Sequence, residues 1–135
     1  MSGIELTTGE WLTLLTHIKK WLSNLRRAKQ PRKLASKAAL QDVIKAVRKS
    51  TIYDRHLREG GDKSMQKETD LVILWTDLSF KLKDLGLDKL AKRCHIKGVY
   101  EADQTSLDKD FVDKAGVRLA DIEHLAKLSL KELDN

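Results

Sequence analysis

Apolar residues recur along this chain at intervals of three and four, the period at which one face of an α-helix is buried. The first run is Trp11, Leu14, Leu15, Ile18, Leu22 and Leu25, widened by Trp21. Thr8 is placed to cap its free amides, and the break falls at Lys29-Gln30-Pro31, because proline disfavours helical geometry at the residue before it. A second helix is expected over about 32–58, with Leu40, Val43, Ile44, Val47, Thr51 and Leu57 facing inward and Gly60-Gly61 ending it. Asp62 or Ser64 then caps a third, which runs to about Leu85 with Leu71, Leu74, Trp75, Leu78 and Leu82 as its main stripe. Val72, Ile73 and Phe80 carry apolar character around that helix, the pattern of a buried one, so it is expected at the centre of the core.

Gly86 stops the third helix, and Asp88 can cap a fourth carrying Leu90, Ala91, Cys94 and Ile96. Residues 98–106 read as a loop. Thr105 and Asp108 have the spacing of a capping box for a short helical piece over 107–115, ended by Gly116. The last helix, over 118–133, bears Leu119, Ile122, Leu125 and Leu128. No segment alternates with period two for long enough to make a strand, and there is no internal repeat. The expected fold is all-α: one domain over residues 1–135, a bundle of four main helices plus a short additional helix near the C-terminus. The short connections imply antiparallel neighbours.

A hydrophobic content of 41% beside 34% charged residues suits a folded globular protein. The one cysteine, Cys94, allows no internal disulfide and fits a reducing compartment. The first residues lack the basic start and apolar run of a secretory signal, and no apolar stretch is long enough to span a bilayer. A cytoplasmic location without membrane insertion follows as the expectation.

Charge changes the picture more than composition does. Residues 1–60 hold 13 Lys/Arg against 5 Asp/Glu, whereas residues 61–135 hold 13 against 15. From Trp11 to Gln41 no acid interrupts a run of eight cations. Arg26, Arg27, Lys29, Arg32, Lys33 and Lys37 crowd the turn between the first two helices. At about 100° per residue, Lys37, Lys45, Arg48, Arg55 and Arg58 fall in one sector of the second helix, away from its core stripe. Such a strip can lie along a nucleic-acid backbone, each neutralised phosphate releasing a counterion. The candidate binding residues are therefore Arg26, Arg27, Lys29, Arg32, Lys33, Lys45, Arg48 and Arg55.

The function these charges suggest is that of a non-catalytic binding or adaptor subunit in a larger bacterial assembly, its basic face meeting nucleic-acid backbone or an acidic protein. A protein-only interaction module is the alternative. A membrane surface would use the same cations together with Trp11 and Trp21, but those tryptophans are expected in the core. Asp103, Asp108, Asp110 and Asp113 suggest either dipole-complementing acids or a head-to-tail contact with the basic face of another copy, so a homo-oligomer is a further possible partner.

Catalytic signals are sparse. Arg118 and His124 resemble the Arg-x(4–6)-His pattern of HEPN ribonucleases, small helical bundles in which the pair acts on a scissile phosphate. Six positions turn an ideal helix by about 600°, which aims the two side chains apart. Cys94 and His95 lack the further ligands of a tetrahedral zinc site, and His17 and His56 read as surface positions. No phosphate loop or nucleophile elbow occurs. A HEPN-like ribonuclease toxin stands as a second alternative to the binding subunit, but neither enzymatic activity nor a cofactor is expected.

Thr51-x-Tyr53, Leu57-Arg58-Glu59-Gly60, Leu74-Trp75, Leu90-Ala91-x-Arg93-Cys94 and Lys97-Gly98-x-Tyr100 form a recurring fingerprint. With it, the chain from Ala38 to about Leu128 resembles a set of small all-helical bacterial proteins whose function is unassigned. In that set the last tyrosine is often followed by tryptophan and a proline-containing loop, where Glu101-Ala102-Asp103-Gln104 stands here. The resemblance implies a bacterial or phage origin and an architecture, with no chemistry attached. Arg93 and Lys97, one turn apart, are expected to hold Glu101 or Asp103.

Overall fold

Helix boundaries follow the punctuation of the sequence at most points. The computed structural model describes residues 8–26, 30–103 and 118–134. Among them are five helices and no strand: α1 (Thr8–Arg26), α2 (Gln30–Arg58), α3 (Met65–Asp84), α4 (Asp88–Ala102) and α5 (Leu119–Asp134). The all-α expectation is met. Pro31 lies in the first turn of α2, where its missing N–H removes no helical hydrogen bond. Ser64, rather than Asp62, caps α3: its backbone is extended and its hydroxyl accepts from the Lys67 amide at 3.2 Å. At the other end Gly86 takes φ +85°, and the Leu87 amide closes back on the Leu82 carbonyl at 2.9 Å.

The fourth helix departs from expectation at both ends. Asp88 is its first residue rather than its cap, and Leu87 precedes it without a side-chain capping bond. The helix also continues through Gly98 to Ala102 where a loop was expected. Gly98 serves close packing there: a Cβ would come within 2.9 Å of Thr76 Oγ1 on α3. Absence of a side chain lets α4 approach α3, and the helix does not stop. The expected capping box at Thr105 and the short helix over 107–115 lie outside the described residues.

Packing runs from α4 to α3, from α3 to α2 and from α2 to α5, with α5 also touching α1 and α4. Leu14, Ile18, Trp21, Leu40, Val43, Val47, Leu71, Trp75, Leu78, Leu82, Leu90, Cys94, Ile122 and Leu125 are buried in this core. Thr51 is exposed, contrary to the expected inward stripe of α2, with its hydroxyl bonded to the Val47 carbonyl at 2.8 Å. Small residues, Ser36, Ala39, Ala46 and Ser50, are fully buried on α2 instead, and they let neighbouring helices come close. Two indoles tie the bundle together. Trp75 donates to Ser50 Oγ at 2.9 Å, joining α3 to α2, and Trp21 donates to the Leu85 carbonyl at 2.8 Å, joining α1 to the end of α3.

The expected central burial of α3 is not observed. Ile73 and Phe80 are 54% and 60% exposed, because α2 and α4 cover two sides of α3 and leave a third open. No helix among the described residues is long and apolar enough to cross a membrane.

Candidate functional site

The second helix carries most of the candidate residues, and its geometry sorts them. Arg32, Lys37, Lys45, Arg48, Arg55 and Arg58 are exposed and Lys33 is half-buried. Lys49, absent from the sequence-based set, is exposed beside them on the flank facing α3. Its signal was its place one residue beyond Arg48, at the margin of the same sector. Arg27, Lys29 and the side chain of Arg26 lie outside the described residues. Arg48 is engaged by α5 through Glu123 at 2.7 Å, and Lys127 approaches the same carboxylate oxygen at 3.7 Å. Asp42 lies between Lys45 at 4.0 Å and Lys81 at 3.8 Å.

At the N-terminal end of α2, three helix ends enclose a polar pocket of about 420 Å³. His17, Lys20 and Trp21 enter from α1, Arg32 from α2, and Asp88 from the start of α4, with Leu85 and Gly86 completing the wall. The Trp21–Leu85 hydrogen bond fixes this corner, and Arg32 Nη2 reaches the Asp84 carbonyl at 3.4 Å. His17 is half-buried rather than the surface residue expected, and its Nε2 is buried with no hydrogen-bond partner among the described residues. Burial lowers its pKa below the ordinary 6.5, partly opposed by the nearby Asp88 carboxylate. The pocket brings Lys20 and Arg32, 12 positions apart in sequence, to one wall system.

The C-terminal half of α2 borders a different feature, an open groove of about 700 Å³ between α2 and α3. Its charged lining mixes signs: Lys49 and Arg55 on α2 with Glu59 just beyond its end, and Lys67, Asp70 and Asp77 on α3. Ile52, Ile73 and Leu74 supply apolar surface between them. The closed end is held by Tyr53, whose hydroxyl donates to Glu68 and accepts the Ser64 amide at 3.0 Å. That bond to Glu68 raises the Tyr53 pKa above its usual 10. Behind it, burial pushes the Asp54 carboxyl up, against the pull of Lys97. Lys97 and Glu101 pair at 2.7 Å, both largely buried, and Arg93 donates to the Lys89 carbonyl at 3.0 Å.

Other groups singled out by sequence make contacts within the bundle. Arg118 holds Asp121 at 3.4 Å, while the His124 ring meets Trp11 edge-on with centroids 4.6 Å apart. Cys94 is fully buried, and burial pushes its thiol up to about 12; the adjacent His95 is exposed. Among the described residues no cluster of three His, Cys, Asp or Glu side chains is arranged to hold a metal. Of the acidic patch before α5, only Asp103 lies within the described residues. No family model, curated protein or solved structure matches this chain.

Proposed function

We propose that this chain is a non-catalytic binding subunit that takes nucleic-acid backbone at the corner where α1 meets α2, within a larger assembly. The observation that carries the reading is the polar pocket at that corner, where Lys20 and Arg32 arrive from different helices. Lys33 and Lys37 extend the positive surface along α2, and no acid occurs anywhere from Trp11 to Gln41. Arg32 supplies a fork suited to phosphate oxygens, and the lysines supply point charges. Such contacts fix the polymer without reading its bases. The C-terminal half of α2 contributes less, since Asp70 and Asp77 face Lys49 and Arg55 across the groove. Farther along the ridge, Glu123 already occupies Arg48.

An acidic protein is the second reading, and Leu34 favours it. This leucine is 59% exposed between Lys33 and Lys37, and a phosphate backbone would leave it wet. The two readings separate in one titration. Fluorescence anisotropy of a labelled single-stranded oligonucleotide is expected to rise on adding the protein, with affinity falling steeply from about 50 to 200 mM salt. Simultaneous Arg32→Glu, Lys33→Glu and Lys37→Glu changes are expected to abolish the rise while the helical circular dichroism is retained. Absence of binding by the unaltered protein at low salt, or full binding by the triple variant, would overturn the nucleic-acid reading.

A further inference from the structure

The groove between α2 and α3 is lined by charges that cancel. Three of its lining side chains are positive, Lys49, Arg55 and Lys67, and three are negative, Glu59, Asp70 and Asp77. Among the described residues none of the six enters an ion pair within 4.0 Å. Ile52 and Ile73, 57% and 54% exposed, lie between the charged walls, and Phe80 extends the apolar line along α3 at 60% exposure. A polyanion gains nothing from this mixture, and water gains nothing from the isoleucines.

The order of the charges identifies what fits. α2 and α3 run antiparallel in a fixed register, with Asp42 beside Lys81, Ser50 beside Trp75 and Tyr53 beside Glu68. Going along α2 and one residue past its end, the wall reads Lys49, Ile52, Arg55, Glu59; at comparable heights α3 reads Asp77, Ile73, Asp70, Lys67. The heights agree within one to five residues of the nearest contact between the two helices, about 2–8 Å at the helical rise, most of which a lysine, arginine or glutamate side chain spans. Each group on one wall therefore faces the opposite sign, or a matching isoleucine, on the other. That is the self-complementarity an isologous contact requires.

We infer that this groove is the interface of a symmetric dimer, in which α2 of one copy lies over α3 of the second. The two-fold axis runs parallel to the helices. It sets Lys49 against Asp77, Arg55 against Asp70 and Glu59 against Lys67, each pair occurring twice, with Ile52 over Ile73 at the centre. The other in-plane axis, across the helices, would stack α2 on α2; passed through Ile52 it brings Lys49 onto Arg55, and Ile52 onto itself, so cross-linking distinguishes the two arrangements. From Gln41 to Glu59 the two-helix face measures about 28 Å by 20 Å. Its relief brings the accessible area into the range of about 600–1,000 Å² that each partner buries in a specific interface. A chain of net charge +6 repels its copies over most of its basic half, and the neutral groove is where a copy can approach.

The test is the mass in solution of the full chain, freed of nucleic acid by nuclease and high salt so that a bridging polymer contributes nothing. Multi-angle light scattering is expected to give twice the 15.4 kDa chain mass. Lys49→Asp, which sets like charges together twice, is expected to weaken dimerisation by at least about 100-fold. Adding Asp77→Lys to it restores the attraction and is expected to restore the dimer. Because both positions are exposed, circular dichroism should stay that of the unaltered protein. In a mixture, an Ile52→Cys chain and an Ile73→Cys chain are expected to cross-link to each other, while Ile52→Cys chains alone do not. A monomer throughout, a Lys49→Asp dimer of unchanged strength, or a double variant no better than the single one would overturn the inference.

Discussion

The two ends of α2 carry similar numbers of cations and have opposite uses for them. At the N-terminal end Arg32, Lys33 and Lys37 lie in a stretch of sequence that holds no acid, and Lys20 joins Arg32 around one pocket. At the C-terminal end Lys49 and Arg55 look across a groove at Asp70 and Asp77. Summed charge draws a polyanion to the first end, whereas alternation of charge at the second suits a surface that repeats the pattern in reverse. What separates the ends is what each helix neighbour contributes. The corner receives Lys20 from α1 and a single aspartate, Asp88, from α4, whereas α3 brings two aspartates to the groove.

That contrast can be broken most severely through the two indoles that hold the ends. Trp75→Ala removes a fully buried side chain and strands Ser50, so unfolding in urea is expected to come about 3–5 kcal/mol sooner. The milder Trp75→Phe and Trp21→Phe changes each leave one buried acceptor unpaired, a loss of about 1–3 kcal/mol. Only Trp21→Phe is expected to weaken oligonucleotide binding, because the Leu85 carbonyl it releases lines the corner. Equal effects of the two on binding, measured by anisotropy, would erase the distinction between the ends.

A finer separation comes from salt. Arg32→Gln, Lys33→Gln and Lys37→Gln together are expected to lower the slope of log affinity against log salt by about 2.1, three phosphates of a single strand at about 0.7 each. Lys49→Gln with Arg55→Gln is expected to leave that slope unchanged. Similar slopes in the two variants would mean that the whole ridge binds.

Acid sharpens the comparison further, since His17 belongs to the corner alone. Burial holds its folded pKa below the unfolded value of 6.5. The unfolded chain therefore takes the proton first, so this contribution to stability is complete above 6.5 and is lost as pH falls through the folded value. His17→Gln is expected to flatten that part of the curve in thermal melts. A phosphate in the pocket favours the protonated ring, so binding is expected to tighten over the same pH range, and His17→Gln to remove the tightening.

The smallest effect expected is at the middle of the ridge. Arg48→Ala breaks an ion pair whose arginine side is 60% exposed, so denaturant unfolding is expected to register only about 0.2–1 kcal/mol. Oligonucleotide affinity is expected to change little, as Glu123 already neutralises that guanidinium.

Periodicity made the helices legible because a buried stripe every three or four residues leaves few alternatives to a helix. Ser64, Gly86 and Pro31 marked ends correctly because each has a local reason, a hydroxyl acceptor, a left-handed backbone or a missing donor. Gly98 misled for the same reason reversed: the local rule for glycine says stop, while the contact with Thr76 gives a tertiary reason for its presence inside a helix. Ile73 and Phe80 misled because apolar residues all round a helix signal complete burial only if partners cover every side. The basic ridge was visible from spacing, but its division was not, since the acids across the groove from Lys49 and Arg55 come from another helix.

By itself the sequence determined the helical class, the stripes that face the core and the excess of positive charge in the first half. These depend on local periodicity and on composition, which no fold can alter. Tertiary structure decided which neighbour each face of α2 meets. It buried His17 beside Lys20 and Arg32, engaged Arg48 with Glu123, and set aspartates across from Lys49 and Arg55. Those outcomes depend on distances between residues far apart in the chain, and the field around a charge is fixed by what stands a few ångströms away.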